Sequence, residues 1–291
     1  MAMKKLFLTL VLGSMAAAAP ASPLPIPRAI FTDPLRDARH PASMQVLHVP
    51  SGGVEINALA YLAAGEGAHP TLVLMHGLPG NEKNLDLAQA ARRAGWNAVT
   101  FNYRGSWGSP GSFRFANTLE DARAVLAYLR SAAVAKKLGI AAQRIVIGGH
   151  SMGGWVAALT AQTDSALAGT ILISAANMGS DYGQTHEQAL KGMAEDMETL
   201  ASTSPARMVE ELERDRARFD WTPGAAGLAK RPLLVLSSDD GLATMTDALA
   251  AEVRGASGRV TSVHVATDHG WSDRRIRLQS EVIRWLAALP K

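Results

Sequence analysis

Residues 145–154 read IVIGGHSMGG, in which an apolar run typical of a buried strand passes directly into a G-x-S-x-G pattern. The segment that follows, 155–163, is rich in small residues and predicts a helix that begins just after the serine. At such a sharp strand-to-helix turn the hydroxyl of Ser151 projects above the sheet, and the small Gly149 and Gly153 let the neighbouring backbone approach closely. We therefore predict that Ser151 is a nucleophile.

A second apolar run, residues 71–75, leads into the sequence HGLPG at 76–80, which predicts a strand that ends in a tight loop. Acyl transfer places negative charge on a carbonyl oxygen, and two backbone N–H groups, one after the nucleophile and one from this loop, would stabilise that charge. We assign these donors to Met152 and Leu78. His76 is interpreted as a residue that supports the loop through hydrogen bonds rather than as a catalytic base.

Two apolar runs near the C-terminus end in the sequences SSDDG and TDHGW, so each strand delivers polar groups to a loop. A serine hydroxyl is a weak nucleophile until a base takes its proton, and the imidazole of that base is held in the right tautomer by a carboxylate. The order Ser151, Asp240, His269 fits these roles. Asp239 is the alternative acid, in which case Asp240 would cap the following helix.

With these residues the chain resembles the α/β-hydrolase family, over about residues 45–285. Members of the dienelactone-hydrolase and prolyl-oligopeptidase type are similar in two more places, NYRGSWG at 102–108 and DHGWSD at 268–273. The resemblance implies an α/β-hydrolase fold and a serine hydrolase of esterase-like character. In this family the acid usually lies three residues beyond a glycine at the strand end, where this chain has Ser237, and this departure keeps both aspartates open.

The order of apolar runs and helical patterns predicts a mostly parallel central sheet with helices on both faces. Residues 45–49 and 54–62, joined by a Ser-Gly-Gly turn, predict an antiparallel hairpin at one edge. Further strands are expected near Thr71, Asn97, Arg144, Gly169, Pro232 and Val260, alternating with helices near Asn84, Thr118, Met152, Ala243 and Ile276.

One segment interrupts this alternation, since residues 177–230 between the sixth and seventh strands are too many for a simple connection. Two runs, 187–200 and 206–219, favour helices, and the resemblance implies a helical lid at this position. Ordinary packing is the alternative role for its apolar residues. The candidates for lining the substrate pocket are Met193, Met197, Met208, Phe219 and Trp221, together with His150 in the variable position of the serine motif.

Composition predicts one α/β domain over residues 45–291, because 47% of the 291 residues are apolar and 19% are charged. Without Lys4 and Lys5 the chain has 27 basic and 26 acidic residues and no basic stripe, so nucleic acid is not a predicted partner. It has no cysteine, hence no disulfide and no thiol nucleophile. His186 and Glu187 are not followed by a second histidine at position 190, so no metal site and no cofactor are predicted.

Residues 1–21 combine two lysines, an apolar run at 6–12 and the small-residue sequence Ala-Pro-Ala, which is typical of a secretory signal peptide. A membrane anchor is the alternative, but it needs a longer apolar run. We therefore expect a periplasmic or secreted protein without stable membrane insertion. Residues 22–44 are rich in proline and arginine and predict an extended N-terminal arm.

The predicted reaction is two-step hydrolysis of a small-molecule carboxylic ester or thioester through an acyl-enzyme. The first alternative is a serine peptidase or acyl-peptide hydrolase of the prolyl-oligopeptidase type. The same fold also serves cofactor-free lyases and perhydrolases. The last alternative is a non-catalytic binding protein built on a hydrolase scaffold. The oligomeric state is not predicted.

Overall fold

In the computed structural model, which describes residues 25–290, eight strands form one sheet. The strands are β1 (Ser43–Ser51), β2 (Val54–Leu62), β3 (His69–Met75), β4 (Asn97–Phe101), β5 (Ile140–His150), β6 (Gly169–Ile173), β7 (Leu233–Ser237) and β8 (Val260–His264).

Helices follow β3 and each later strand in this described part of the chain. They are α1 (Leu85–Arg93), α2 (Phe115–Arg130), α3 (Ala132–Leu138), α4 (Met152–Thr163), α5 (His186–Glu195), α6 (Pro205–Phe219), α7 (Ala225–Leu228), α8 (Ala243–Gly255) and α9 (Arg275–Ala288), with short 3-10 turns at Arg28–Ile30, Met197–Thr199 and Thr222–Gly224.

The strand order across the sheet is β1-β2-β4-β3-β5-β6-β7-β8. β2 runs antiparallel to β1 and β4, and every other neighbouring pair is parallel. The predicted mostly parallel sheet with an antiparallel hairpin at its edge is confirmed. The carboxyl ends of β3, β5, β6, β7 and β8 therefore meet at one edge of the sheet, which is where ligands bind in open α/β folds.

The central strands are buried on both faces, which explains why their sequences are mostly apolar and do not alternate between apolar and polar residues. All five residues of β4, β6 and β7 are buried. One core, around Trp155 and Phe115, lies on one face of the sheet, and a second core, around Trp271 and Leu278, lies on the other. Helices consequently cover both faces, as predicted.

The segment between β6 and β7 contains α5, α6 and α7. A capping box of Thr185 and Gln188 starts α5, and the side chain of Ser204 caps α6 immediately before Pro205. The predicted helical run 187–200 is divided, because α5 ends at Glu195 and a 3-10 turn follows. The second predicted run corresponds closely to α6.

The N-terminal part of the described chain, residues 25–42, contains one 3-10 turn and no strand. The guanidinium of Arg93 on α1 donates hydrogen bonds to the carbonyls of Ala29 and Ile30, which attaches this segment to the domain. Residues 1–21, for which a signal peptide is predicted, lie outside the described residues. Across residues 25–290, no helix combines the length and the apolar character required to cross a membrane.

Candidate active site

Ser151 occupies the junction between β5 and α4 with a backbone conformation that is rare for a residue with a side chain. Its φ is 57° and its ψ is −125°. Such left-handed conformations are strained outside glycine and persist where the surrounding structure holds them. Here the Ser151 N–H donates to the carbonyl of Ile173 over 3.0 Å, and the Ser151 carbonyl accepts from Gly154 over 3.0 Å. The turn is thereby tied to both β6 and α4.

The glycines around the serine are required by the close packing of α4 on the strand ends. A Cβ on Gly149 would overlap the backbone of Gly153. A Cβ on Gly153 would overlap the carbonyl oxygens of Met75 and His76. The G-x-S-x-G spacing therefore reflects backbone contacts between α4, β5 and the end of β3.

His269 lies in the loop after β8, where its Nδ1 is 2.8 Å from Oδ2 of Asp240. The Asp240 side chain is 3% exposed, and its Oδ1 also accepts a hydrogen bond from the Leu242 N–H over 2.9 Å. Because Nδ1 is committed to the carboxylate, Nε2 is the ring nitrogen that can take up a proton. The imidazole is held in the tautomer that a general base requires.

Opposing effects act on the pKa of Asp240. Burial raises this pKa, but hydrogen bonds from His269, the Leu242 N–H and Ser238 outweigh burial, and the pKa is lowered overall. Asp240 is consequently a carboxylate at neutral pH, as a partner of an imidazolium must be.

Asp239, the alternative acid, is directed elsewhere. Its side chain is 61% exposed, and its Oδ1 lies 2.9 Å from Nε2 of His264. The other ring nitrogen of His264 lies 3.0 Å from the hydroxyl of Ser237. Of the two aspartates that the sequence leaves open, the structure pairs Asp240 with His269 and Asp239 with His264.

His150 lies against His269 and not in the pocket for which the sequence proposed it. Its Nε2 is 2.8 Å from the carbonyl oxygen of His269, and the two ring centroids are 4.5 Å apart. Burial, assisted by the nearby His269, lowers the pKa of His150 to about 4. His150 is thus neutral at physiological pH and donates its Nε2–H to that carbonyl, which supports the backbone of the loop.

The loop after β3 approaches the serine closely. A Cβ on Gly77 would lie 2.9 Å from Cβ of Ser151, so a larger residue would displace the hydroxyl. Leu78 and Met152 both line the cavity that Ser151 opens into. Met152 is the first residue of α4, where a helix leaves its N–H groups without partners inside the helix. The residues that the sequence assigned to oxyanion binding are therefore adjacent to the nucleophile.

Hydrogen bonds hold this loop in place. Nδ1 of His76 lies 2.8 Å from the carbonyl of Gly77, Tyr103 donates its hydroxyl to the carbonyl of His76 over 3.2 Å, and the Trp107 indole donates to the carbonyl of Pro79 over 2.8 Å. Burial lowers the pKa of His76 to about 4. His76 is therefore neutral at physiological pH, and its ring contacts the backbone of the loop at Gly77.

A cavity of about 280 Å³ opens above Ser151 between the ends of β5 and β6 and the helices α5 and α6. Its lining combines apolar side chains, most of them buried or half-buried, with polar and charged side chains, several of which are exposed. The lining residues include Leu78, Met152, Ala176, Met178, Tyr182, Ala189, Met193, Val209, Leu212 and Leu242, with Asp181, His186, Glu213 and Arg216 among the polar ones.

Of the substrate-binding candidates from the sequence, only Met193 lines this cavity. Met197 and Trp221 are not among its lining residues, and Trp221 is buried in the core. Met208 and Phe219 are fully buried as well, and the Trp155 indole donates to the Phe219 carbonyl over 2.6 Å. These three large residues anchor the inserted segment to the domain. The helical spacing of apolar residues alone does not say which face turns to the core.

The sequence analysis missed several cavity residues, and only those on helices follow a spacing that the sequence shows. Ala189 and Met193 stand four positions apart on α5, and Val209 and Leu212 stand three apart on α6, so each pair shares a helix face. Ala176 and Met178 follow β6 in irregular backbone, where no periodicity marks an inward-facing residue.

Among residues 25–290, no hydrogen bond joins the Ser151 hydroxyl to Nε2 of His269, although the site brings both residues to the same strand ends. Such bonds are often long without substrate and tighten when substrate binds. Over the same residues, His, Asp and Glu side chains form no group of three or more that could hold a metal ion.

Comparison with known proteins identifies a family and individual proteins to which this chain is similar. The model of the family described as the alpha/beta hydrolase family matches residues 72–285. The quorum-quenching protein AidA of Acinetobacter baumannii (strain MDR-ZJ06) is 35% identical over 127 residues, which are 42% of this chain and 40% of that protein. The chain thus matches less than half the length of this relative.

Solved structures with the same fold include esterases and a peptidase. The carboxylesterase EstE1, cloned from a metagenomic library, has a TM-score of 0.65 at 21% identity, over 90% of this chain and 92% of its own. The esterase of Pyrobaculum calidifontis has a TM-score of 0.61 at 19% identity, over 87% and 88%. The acylaminoacyl peptidase of Pyrococcus horikoshii has a TM-score of 0.64 at 15% identity, over 86% of this chain and 42% of its own. Together with the family match over residues 72–285, these observations show that the chain belongs to the α/β-hydrolase family.

Proposed function

We propose that this protein is a serine hydrolase that cleaves carboxylic esters of small molecules through an acyl-enzyme on Ser151. The proposal rests on one observation: the serine turn and a histidine–aspartate pair both lie at the carboxyl ends of the strands. Ser151 opens from a strained turn into the same cavity as Leu78 and Met152, and His269 is bonded over 2.8 Å to the buried Asp240. The fold that the chain shares with carboxylesterases supports the same proposal.

In the proposed mechanism, Nε2 of His269 takes the proton from the Ser151 hydroxyl as its oxygen attacks the ester carbonyl. The N–H groups of Leu78 and Met152 would stabilise the negative oxygen of the tetrahedral intermediate. The imidazolium then gives its proton to the leaving alcohol, and the C–O bond of the ester breaks. Water repeats these steps on the acyl-enzyme and releases the acid.

The cavity favours an ester with an apolar group of moderate size. Aliphatic and methionine side chains form much of its lining, and the exposed side chains of Arg216 and Asp181, which also line it, form an ion pair of 3.2 Å. Apolar surface near the nucleophile binds a hydrocarbon chain by excluding water. We propose that α5 and α6, within residues 177–230, act as a lid that determines chain-length preference.

Labelling with a fluorophosphonate tests the nucleophile directly. Wild-type protein should react and Ser151→Ala should not, while Ser272→Ala, which removes an exposed serine close to His269, should label like wild type. Hydrolysis of p-nitrophenyl esters of graded chain length then reports the shape of the cavity. Absence of labelling and turnover in folded wild-type protein would contradict the proposal and favour a binding protein.

Two further substrate classes belong in the same assay. The acylaminoacyl peptidase with this fold favours an acyl-amino-acid anilide as a second substrate. A cyclic ester with an apolar tail is the other class, because it offers the same kind of carbonyl to Ser151 and an apolar group to the cavity. A kcat/KM for the anilide above that for a matched ester would replace the esterase proposal by a peptidase.

For localisation we propose export to the periplasm or the medium, with residues 1–21 as the signal peptide. The support is the sequence pattern of these residues. The intact mass of protein recovered from the periplasm of an expressing bacterium tests it, since cleavage near residue 21 should remove the segment. Full-length protein retained in the cell would contradict export.

A further inference from the structure

The 3-10 turn Met197–Thr199 of the inserted segment contacts the loop after β3 beside Leu78, the proposed oxyanion donor. The hydroxyl of Thr199 donates a hydrogen bond to the carbonyl of Pro79 over 2.9 Å. The indole N–H of Trp107 donates to the same oxygen over 2.8 Å. A carbonyl oxygen has two lone pairs, so both acceptor positions of Pro79 are occupied.

Leu78 thus lies between two carbonyls that are held by side chains. On one side, the carbonyl of Gly77 lies 2.8 Å from Nδ1 of His76. This carbonyl and the N–H of Leu78 belong to one planar peptide unit, so the direction of the carbonyl sets the direction of the N–H. On the other side, the two donors to Pro79 hold the backbone immediately after Leu78. A displacement of Pro79 would therefore also displace the donor.

Backbone hydrogen bonds fix the position from which Thr199 reaches this loop. The Trp107 N–H donates to the carbonyl of Thr199 over 3.0 Å. Two positions later, the Ala201 N–H donates to the carbonyl of Gly105 over 2.8 Å, and the Ala201 carbonyl accepts from the Phe113 N–H over 3.1 Å. Residues 199–201 are thus bound to the loop after β4 at three points, which orders the Thr199 hydroxyl before any substrate arrives.

We propose that Thr199, together with Trp107, is a positioning residue that holds the Pro79 carbonyl. Its effect is to keep the N–H of Leu78 directed at the oxyanion. This inference rests on the proposed function, in which Leu78 supplies one of the two oxyanion donors. Complete loss of one such donor lowers kcat by roughly 10²- to 10³-fold, and a donor that is merely displaced should have a smaller effect of the same kind. The inserted segment would then contribute to the chemistry as well as to the cavity.

The inserted segment itself offers a matched set of variants. Thr199→Val removes the hydroxyl and keeps the branched shape, whereas Thr199→Ser keeps the hydroxyl. Thr203→Val is the control, because Thr203 lies on the same segment, is half-buried like Thr199 and is not among the residues that line the cavity. Across residues 25–290, the hydroxyl of Thr203 forms no hydrogen bond.

The first measurement is the steady-state kinetics of a p-nitrophenyl ester. In Thr199→Val, kcat should fall roughly fivefold to twentyfold with KM within about twofold, because the oxygen that Leu78 contacts becomes negative only in the transition state. Thr199→Ser should recover most of the lost kcat, and Thr203→Val should match wild type. A change confined to KM would contradict the proposal.

Trp107→Phe is the second variant, since it removes the other donor to Pro79 and keeps an aromatic ring. It should also lower kcat. The double variant Thr199→Val/Trp107→Phe should lower kcat by more than the product of the two single effects, because in each single variant one donor still holds the carbonyl. Should Thr199→Val fail to fold, Thr199→Ala removes the same hydroxyl and gives the same test.

A readout that needs no turnover separates this inference from the proposed function. Hydrogen–deuterium exchange followed by mass spectrometry reports the opening of residues 76–84. These residues should exchange faster in Thr199→Val than in wild type or Thr203→Val, whether or not any ester is cleaved.

The two readouts together decide the outcome. If wild type cleaves esters and Thr199→Val equals Thr203→Val in kcat, the positioning role is overturned while the esterase proposal stands, whatever the exchange shows. If wild type cleaves no ester, the proposed function fails, and equal exchange in the two variants would overturn the hold of Thr199 on the loop as well.

Discussion

At the scale of single residues, adjacent carboxyl groups in this chain have different environments. Asp239 is 61% exposed and pairs with His264, whereas Asp240 is 3% exposed and pairs with His269. Removing the charge from either aspartate changes few atoms, so this pair offers a sharp test of which carboxylate supports the base.

We expect Asp240→Asn to lower kcat by roughly 10³- to 10⁴-fold, because an amide can favour the wrong tautomer of His269 and does not stabilise its imidazolium. Asp239→Asn should stay within about twofold of wild type, since its partner lies outside the proposed site. Steady-state kinetics at pH 7 to 8 on both variants would decide. An inactive Asp239→Asn beside an active Asp240→Asn would reverse the assignment of the acid.

At the scale of elements, the close contact of α4 with the ends of β3 and β5 depends on glycines, which have no Cβ. We expect Gly153→Ala to lower the free energy of unfolding by about 3 kcal/mol, since the new methyl group would overlap the carbonyl oxygens of Met75 and His76. Gly192→Ala on α5 meets open space and should raise it by roughly 0.5–1 kcal/mol through helix propensity. Urea denaturation measures both, and equal effects would contradict the packing argument.

The inserted helices carry a separate prediction about the cavity. Ala189 on α5 lines it, and Lys191, two positions later, is exposed and does not. Ala189→Phe should lower kcat/KM for an octanoate ester relative to an acetate ester by roughly tenfold or more, because the ring takes the space of the longer chain. Lys191→Phe adds the same bulk to the same helix and should leave the ratio unchanged. Unchanged selectivity in Ala189→Phe would place the acyl chain elsewhere.

At the scale of the whole molecule, two buried histidines make stability depend on pH. Burial lowers the pKa of His76 and of His150 to about 4, below the ordinary value of 6.5. Between these values the unfolded chain binds more protons than the folded protein, so stability falls as pH falls from 6.5 towards 4 and changes no further from these groups below that.

Between pH 7 and pH 5, each of these histidines should lower the free energy of unfolding by about 1–2 kcal/mol. His76→Gln should reduce the loss by one such contribution, even if the variant is less stable at pH 7. His48→Gln, on the exposed side of β1, is the matched control. Chemical denaturation at both pH values measures the difference, and an equal loss in wild type and His76→Gln would show that His76 does not stay neutral in the folded protein.

Much of the architecture could be predicted because the signals are local. Short, mostly apolar runs flanked by loop sequences marked the buried parallel strands, and β4, β6 and β7 are buried throughout. The glycines around Ser151 marked a turn whose geometry depends on a few neighbouring residues. Helical spacing identified α6 but not its inward face, so Met208 and Phe219, both candidates for the pocket, lie in the core.

By itself, the sequence determined the mostly parallel sheet, the hairpin at its edge, the helices between its strands and the sharp turn at Ser151. Each depends on hydrophobic periodicity or on backbone sterics within a few residues. The tertiary structure alone decided that Asp240 and not Asp239 meets His269, that His150 supports the loop of His269, and that Thr199 and Trp107 both donate to the carbonyl of Pro79. The reason is physical: hydrogen bonds require atoms from distant parts of the chain to lie within about 3 Å, and only the packing of the strand ends sets such distances.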